Sequence, residues 1–168
     1  MQNTPYFSTM ARYNHWMNQK LYAVCAAMPD ETRKKISGTP FQSMHGVLNH
    51  LLLTDRVWLG RFQNRPFAAR SLDQELFADF EELKTEREKT DAEISQWVSS
   101  LTEVSLASPF TFTPMSNPVE QTLPLWMAAL HLFNHQTHHR GQLTALIDQA
   151  SFDCGVTDLP RMPLLDGR

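Results

Sequence analysis

His131-Leu-Phe-Asn-His135-Gln-Thr-His138-His139-Arg-Gly-Gln142 contains four of the chain's seven histidines. It lies within a longer run, Leu123 to Ala150, in which Leu125, Ala128, Ala129, Leu132, Leu143, Leu146 and Ile147 recur at the three-to-four spacing of an amphipathic helix. On a wheel turning about 100° per residue, His139 falls about 30° and His135 about 70° from the centre of that apolar stripe, whereas His131 and His138 fall beyond about 110°. His135 and His139 are therefore the inward pair. Imidazoles at i and i+4 sit one above the other and can share one metal ion. Zinc proteases place a glutamate after the first histidine of such a pair as general base; here that position is Gln136, which cannot take the role. Histidines on an ordinary polar face are the plain alternative, but imidazole nitrogens aimed into an apolar stripe need partners.

Working outward, the region before this helix alternates Pro109-Phe-Thr-Phe-Thr-Pro114, turns at Met115-Ser-Asn-Pro118 and returns through Val119-Glu-Gln-Thr122, the pattern of a short hairpin. Thr122 is the expected cap of the last long helix, with Pro124 in its first turn. Three further helices are expected. The first, from about Pro5 to Met28, carries Met10, Met17, Leu21, Val24 and Met28 on one seam, with Asn14 among them either lining a site or fixing helix register. Pro29-Asp30-Glu31 ends it, and Ser37 to Pro40 form a loop. The second, about Phe41 to Phe62, is apolar nearly all round and is expected to be the most buried. The wheel does not choose sharply between its His45 and His50, but His50 sits in the middle of the apolar run and has the greater need of a buried partner. Asp55 falls among leucines and a tryptophan, so it is expected to be ion-paired, either as a structural pair or as a group that orients a ligand. The third, about Leu72 to Leu101, keeps heptad spacing through Leu76, Phe80, Leu83, Arg87, Thr90, Ile94, Trp97 and Leu101, with Arg87 and Thr90 expected to pair with other helices. Its remaining charges between Asp79 and Glu93 read as a solvated face.

A chain of 168 residues, 42% hydrophobic, suits one domain, residues 1–150, followed by an extended tail, 151–168. A net charge of −3 and a pI near 6.1, with no Lys/Arg block, argue against nucleic acid as the main partner. No basic and apolar leader opens the chain and no window reaches the length of a membrane span, so a cytoplasmic protein without membrane contact is expected. Cys25 and Cys154 show no CxxC spacing and are expected to be free thiols.

Three stretches together resemble the DinB/YfiT-like family of small bacterial metal-binding helical bundles: Tyr13-Asn-His-Trp-Met-Asn18, Asn49-His50-Leu-Leu-Leu-Thr-Asp55-Arg-Val-Trp58, and the His131 to Gln142 segment. The resemblance implies an all-α fold, a four-helix bundle of up-down-down-up order, usually a homodimer. It also implies a divalent metal, Zn2+ or Ni2+, held by His50, His135 and His139, the trio that burial favours. Better characterised relatives are metal-dependent transferases or isomerases that use low-molecular-weight thiols. Three neutral imidazoles leave a coordination position open, where such an ion lowers the pKa of a thiol or water.

The leading expectation is thus an enzyme that activates a low-molecular-weight thiol for transfer to a small electrophile. A metal-dependent hydrolase is a second reading, and a non-catalytic metal-binding or dimeric stress-response protein a third. Ferritin-like di-iron chemistry needs paired Glu-x-x-His motifs, which this chain lacks. Asn14 and Asn18 are candidates to line the pocket, Asp55 to support a metal ligand, and Gln142 to bond a metal-bound group. Arg140 points away from the histidine pair and is assigned to packing or a dimer face.

Overall fold

A computed structural model describes residues 4–38 and 40–163; Thr39 of the expected Ser37 to Pro40 loop and residues 164–168 of the expected tail lie outside the described residues. Six helices and one hairpin follow in the order α1 (Thr4–Ala26), α2 (Asp30–Lys34), α3 (Met44–Phe62), α4 (Phe80–Ser99), α5 (Glu103–Ala107), β1 (Pro109–Phe112), β2 (Gln121–Pro124) and α6 (Leu125–Gln149). The four long helices α1, α3, α4 and α6 form the bundle. Side-chain pairs fix their directions. Tyr22 stacks on Phe80 while Phe7 shares an apolar cluster with Leu101, so α1 and α4 are antiparallel. Asn49 bonds Phe77 just before α4 and Phe62 stacks on Trp97 near its end, so α3 and α4 run together. His50 meets His139 and Trp58 meets His131, so α6 opposes α3. The order is up-down-down-up.

The interior is layered along the bundle axis. One apolar layer joins Met17, Leu21, Leu48, Leu52, Leu83 and Ile147, and the other joins Phe7, Leu59, Ile94, Trp97, Leu132 and Phe133. Between them lies a closed ring of buried polar side chains from all four long helices. Arg87 pairs with Asp55 at 2.7 Å and with Asp91 at 2.8 Å. Asp91 accepts from the Asn18 amide at 2.9 Å and from Asn14 at 3.4 Å. Arg140 donates to Asn14 Oδ1 and, at 3.5 Å, to Gln136 Oε1, and the Gln136 amide donates to Asp55 Oδ1. Two carboxylates face two guanidiniums, so the buried charge balances, as it must in so dry a place.

Capping explains several boundaries. Ser43 Oγ accepts from the Gly46 amide at the start of α3, Asp79 from Glu82 at the start of α4, and Thr102 and Ser105 form a reciprocal box on α5. The third long helix therefore begins at Phe80, not near Leu72 as the heptad spacing suggests. The segment between α3 and α4 turns back over Gly60, where a Cβ would lie 2.6 Å from the Arg65 carbonyl, and retraces α3. Side chains of α3 satisfy its backbone in place of a helix: Asn49 Oδ1 accepts from the Leu76 and Phe77 amides at 2.8 and 3.0 Å, and His45 Nε2 lies 2.8 Å from the Phe77 carbonyl.

Two other expectations need correction. Thr122 does not cap α6. It lies in β2 opposite Thr111, with their hydroxyls 2.8 Å apart, and the strand runs straight into the helix with Pro124 at the cap position. Asp91 is not on a solvated face, because Arg87 one turn earlier and Asn14 and Asn18 across the bundle draw it inward. A short helix, α2, follows α1, and its Arg33 folds back to donate to the Cys25 carbonyl at 2.9 Å, covering the end of α1. The tail lies along α1, where Tyr13 donates to the Thr157 carbonyl at 2.6 Å. Cys25 and Cys154 are free, and no described helix is long and apolar enough to cross a membrane.

Candidate metal centre

The seam between α3 and α6 brings His50, His135 and His139 together, with one ring nitrogen from each lying within 4.8 Å of the others. His50 projects from the buried run of α3, and α6 supplies the other two one turn apart. The centroids of His50 and His139 are 4.5 Å apart, and those of His135 and His139 are 4.3 Å apart.

Hydrogen bonds settle the tautomers. His50 Nδ1 lies 2.7 Å from the Leu72 carbonyl, an oxygen that can only accept, so Nδ1 carries the proton and Nε2 a bare lone pair. His139 Nδ1 lies 2.8 Å from Gln142 Oε1, which likewise leaves its Nε2 bare. These two Nε2 atoms face each other across 3.3 Å with no proton to share. Two lone pairs converging on one point, with a third imidazole beside them, is an arrangement that a cation relieves, and the donor set fits a divalent transition metal. Burial pushes His50 down to about 4 against the pull of the Leu72 carbonyl, and pushes His135 down to about 3 with help from the four imidazoles around it. Burial also lowers His139, while its bond to Gln142 works the other way. The three rings are thus neutral, as ligation needs, near pH 7.

Phe41 closes the cluster on one side. Its ring stacks on His50 at 3.8 Å and meets His139 edge-on at 5.3 Å. On the other side a cavity of about 560 Å³ opens at His50 and His135 and runs between α3, α6 and the hairpin. Trp58 and Phe112 stand 4.9 Å apart in its wall, and Trp58 lies 4.9 Å from His131.

Of the other candidates, Gln142 touches the cluster directly, holding the His139 proton. Asn14, Asn18 and Asp55 belong to the buried ring; none lines this cavity, and Asp55 reaches α6 through Gln136 rather than through a histidine. Arg140 is buried in the same ring. His138 is exposed and His45 bonds Phe77, away from the cluster, whereas His131 lines the cavity. Sequence reasoning passed over Phe41, the Leu72 carbonyl, Arg61 and Phe112. Only the spacing of His50, Thr54, Trp58 and Arg61 along one face of α3 could have pointed to a shared groove.

The DinB family model matches residues 1–164. Protein DinB of Bacillus subtilis (strain 168) is 26% identical over 150 residues, which cover 87% of this chain and 87% of that protein. The crystal structure of a DinB-like protein from Bacillus cereus ATCC 10987 has the same fold, with a TM-score of 0.63 at 20% identity over 84% of this chain and 90% of that one. Matched from its first residues to within a few of its last, the chain belongs to the DinB family.

Proposed function

We propose that His50, His135 and His139 hold a divalent transition metal, Zn2+ or Ni2+, and that the site activates a low-molecular-weight thiol for transfer to a small electrophile. The observation that carries this reading is the approach of His50 Nε2 to His139 Nε2 at 3.3 Å beside a third imidazole. When bound, the cation supplies Lewis acidity that lowers the pKa of a thiol reaching it.

The chain's own residues do the rest. Leu72 and Gln142 hold the Nδ1 protons of His50 and His139 and so orient both rings. Phe41 blocks one approach, leaving the cavity as the way in, and its apolar wall excludes water from a thiolate. A thiolate needs little further help, which suits a cavity with no carboxylate in its described lining. Hydrolysis would need a base, and the lining offers only His131, which burial and the Arg61 guanidinium weaken. A homodimer and a cytoplasmic location belong to the same reading; the exposed Trp126 and Leu130 of α6 supply an apolar face for the dimer.

The test is metal analysis of the purified wild type beside His50→Ala, then thiol consumption with chlorodinitrobenzene as electrophile. One metal per chain, lost in the variant, with metal-dependent consumption, supports the proposal. Stoichiometric metal without turnover of any thiol would make this a metal-binding protein without catalysis, and no metal at all would remove the centre.

A further inference from the structure

The cavity beside the histidines has a polarity that the metal centre does not explain. His50, Thr54, Trp58 and Arg61 follow one face of α3 along its floor, and His135 and His131 follow the facing side of α6. From His50 to Arg61 the helix rises on the order of 16 Å at Cα, so the histidines and the guanidinium mark opposite ends of one groove. Between them the walls are apolar and aromatic.

Arg61 itself is half-buried and held as an anchor is held. Its guanidinium lies 4.9 Å from the centre of the Trp58 ring and 5.2 Å from that of Phe112. One nitrogen donates to the Thr113 carbonyl at 2.7 Å, which leaves most of its five N–H donors for other partners. No ion pair among the described residues involves Arg61, and the described lining of the groove contains no Asp or Glu. Burial depresses the Arg61 pKa with no carboxylate opposing it. Arg33, Arg56 and Arg87 each face a carboxylate, Arg140 is enclosed in the polar ring, and Arg12, on α1 and outside the groove, bonds the Pro163 carbonyl. A planar cation fixed on two aromatic rings at the end of an apolar groove matches a carboxylate in shape and charge.

We infer that the groove is the binding site of an organic acid, a small carboxylate with an apolar or aromatic body, whose carboxylate pairs with Arg61 and whose other end reaches the histidines. This deepens the transfer reading and rests on it only for which end of the ligand reacts. The acid is the electrophile's class, and Arg61 sets both its selection and its orientation.

The experiment is calorimetric titration of metal-free protein, without thiol, with phenylbutyrate and with phenylbutanol, which differ in charge but share a body. The acid binds more tightly to the wild type. Arg61→Gln weakens the acid by roughly 10- to 100-fold, the loss of one charge-assisted pair, and leaves the alcohol unchanged. Arg61→Lys keeps a preference for the acid. Equal affinity for acid and alcohol, no binding of either, or an acid affinity that survives Arg61→Gln would overturn the inference. Should Arg61→Gln lose both ligands through a displaced hairpin, Arg61→Lys decides, and absence of acid preference there refutes it. Because neither metal nor thiol is present, failure of thiol turnover would sink the transfer reading and leave this result standing.

Discussion

Replacing Asp55 by alanine removes one corner of the ring that crosses the bundle. Asp55 has no exposed surface, and its two oxygens take Arg87 at 2.7 Å and the Gln136 amide. The variant leaves Arg87 balanced by Asp91 alone and the Gln136 Nε2 amide with only the Leu51 carbonyl at 3.3 Å. Breaking a buried pair on one side costs about 3 to 5 kcal/mol, because the surviving charge stays desolvated. With a urea slope of about 2 kcal/mol per molar for a chain of this size, the unfolding midpoint drops by roughly 1.5 to 2.5 M. Tryptophan fluorescence at pH 7.5 reads it. Arg87→Ala should cost at least as much, since it strands two carboxylates, and the double variant should cost less than the sum by about 1 to 3 kcal/mol. An Asp55→Ala cost below about 1 kcal/mol, or additivity within about 0.5 kcal/mol, would refute the account of the ring as one coupled unit.

Alanine at His135 or His139 should abolish metal binding, while His138→Ala, at an exposed position, should leave it nearly intact; equal loss at all three in a competition titration would show that the ligands are misassigned. Gln142→Ala frees the His139 Nδ1 proton and should weaken metal affinity by about 10- to 100-fold without changing stoichiometry. Metal-free protein should lose stability as pH falls below about 6.5. Unfolded histidines bind protons there while folded His50 and His135, pushed down to about 4 and about 3, do not, so the unfolded state gains. Burial raises the folded Asp55 carboxyl to about 6, which works in the opposite direction, but one carboxyl is outnumbered by the three buried imidazoles; urea midpoints no lower at about pH 5 than at about pH 7.5 would contradict this. Gly46→Ala puts a Cβ 1.9 Å from the Phe41 carbonyl and should displace the ring stacked on His50, costing about 1 to 3 kcal/mol and weakening metal binding in the same titration.

The bundle was legible because its apolar spacing is strong in every long helix, and His135 and His139 were legible because inward imidazoles on a leucine stripe stand out. The start of α4 was not. Leu76 fits the heptad, and nothing local says that Asn49, far upstream, will take its amide and that of Phe77. Asn14 and Asn18 lie on an inner seam, yet periodicity cannot tell a seam facing a cavity from one facing Asp91. Asp91 was misread for a related reason: a carboxylate among lysines and glutamates looks solvated until its partners on another helix are known. Phe41 and Arg61 owe their roles to the return of the chain over α3 and to the hairpin. Those contacts arise between segments, and spacing shows no more of them than that Arg61 shares a face of α3 with His50, Thr54 and Trp58.

The ring also answers a problem that the histidines create. His131, His135 and His139 repeat every four residues, so if α6 slid by four residues, about 6 Å, His131 and His135 would arrive where His135 and His139 now stand. The triad would re-form, and the centre by itself is blind to the error. The polar layer is not. After such a slip Leu132 would take the place of Gln136 opposite Asp55, and a buried carboxylate would lose a donor that leucine cannot replace. A periodic ligand set is made unique by an aperiodic neighbour, so proofreading of the centre resides in residues that never touch its ligand nitrogens.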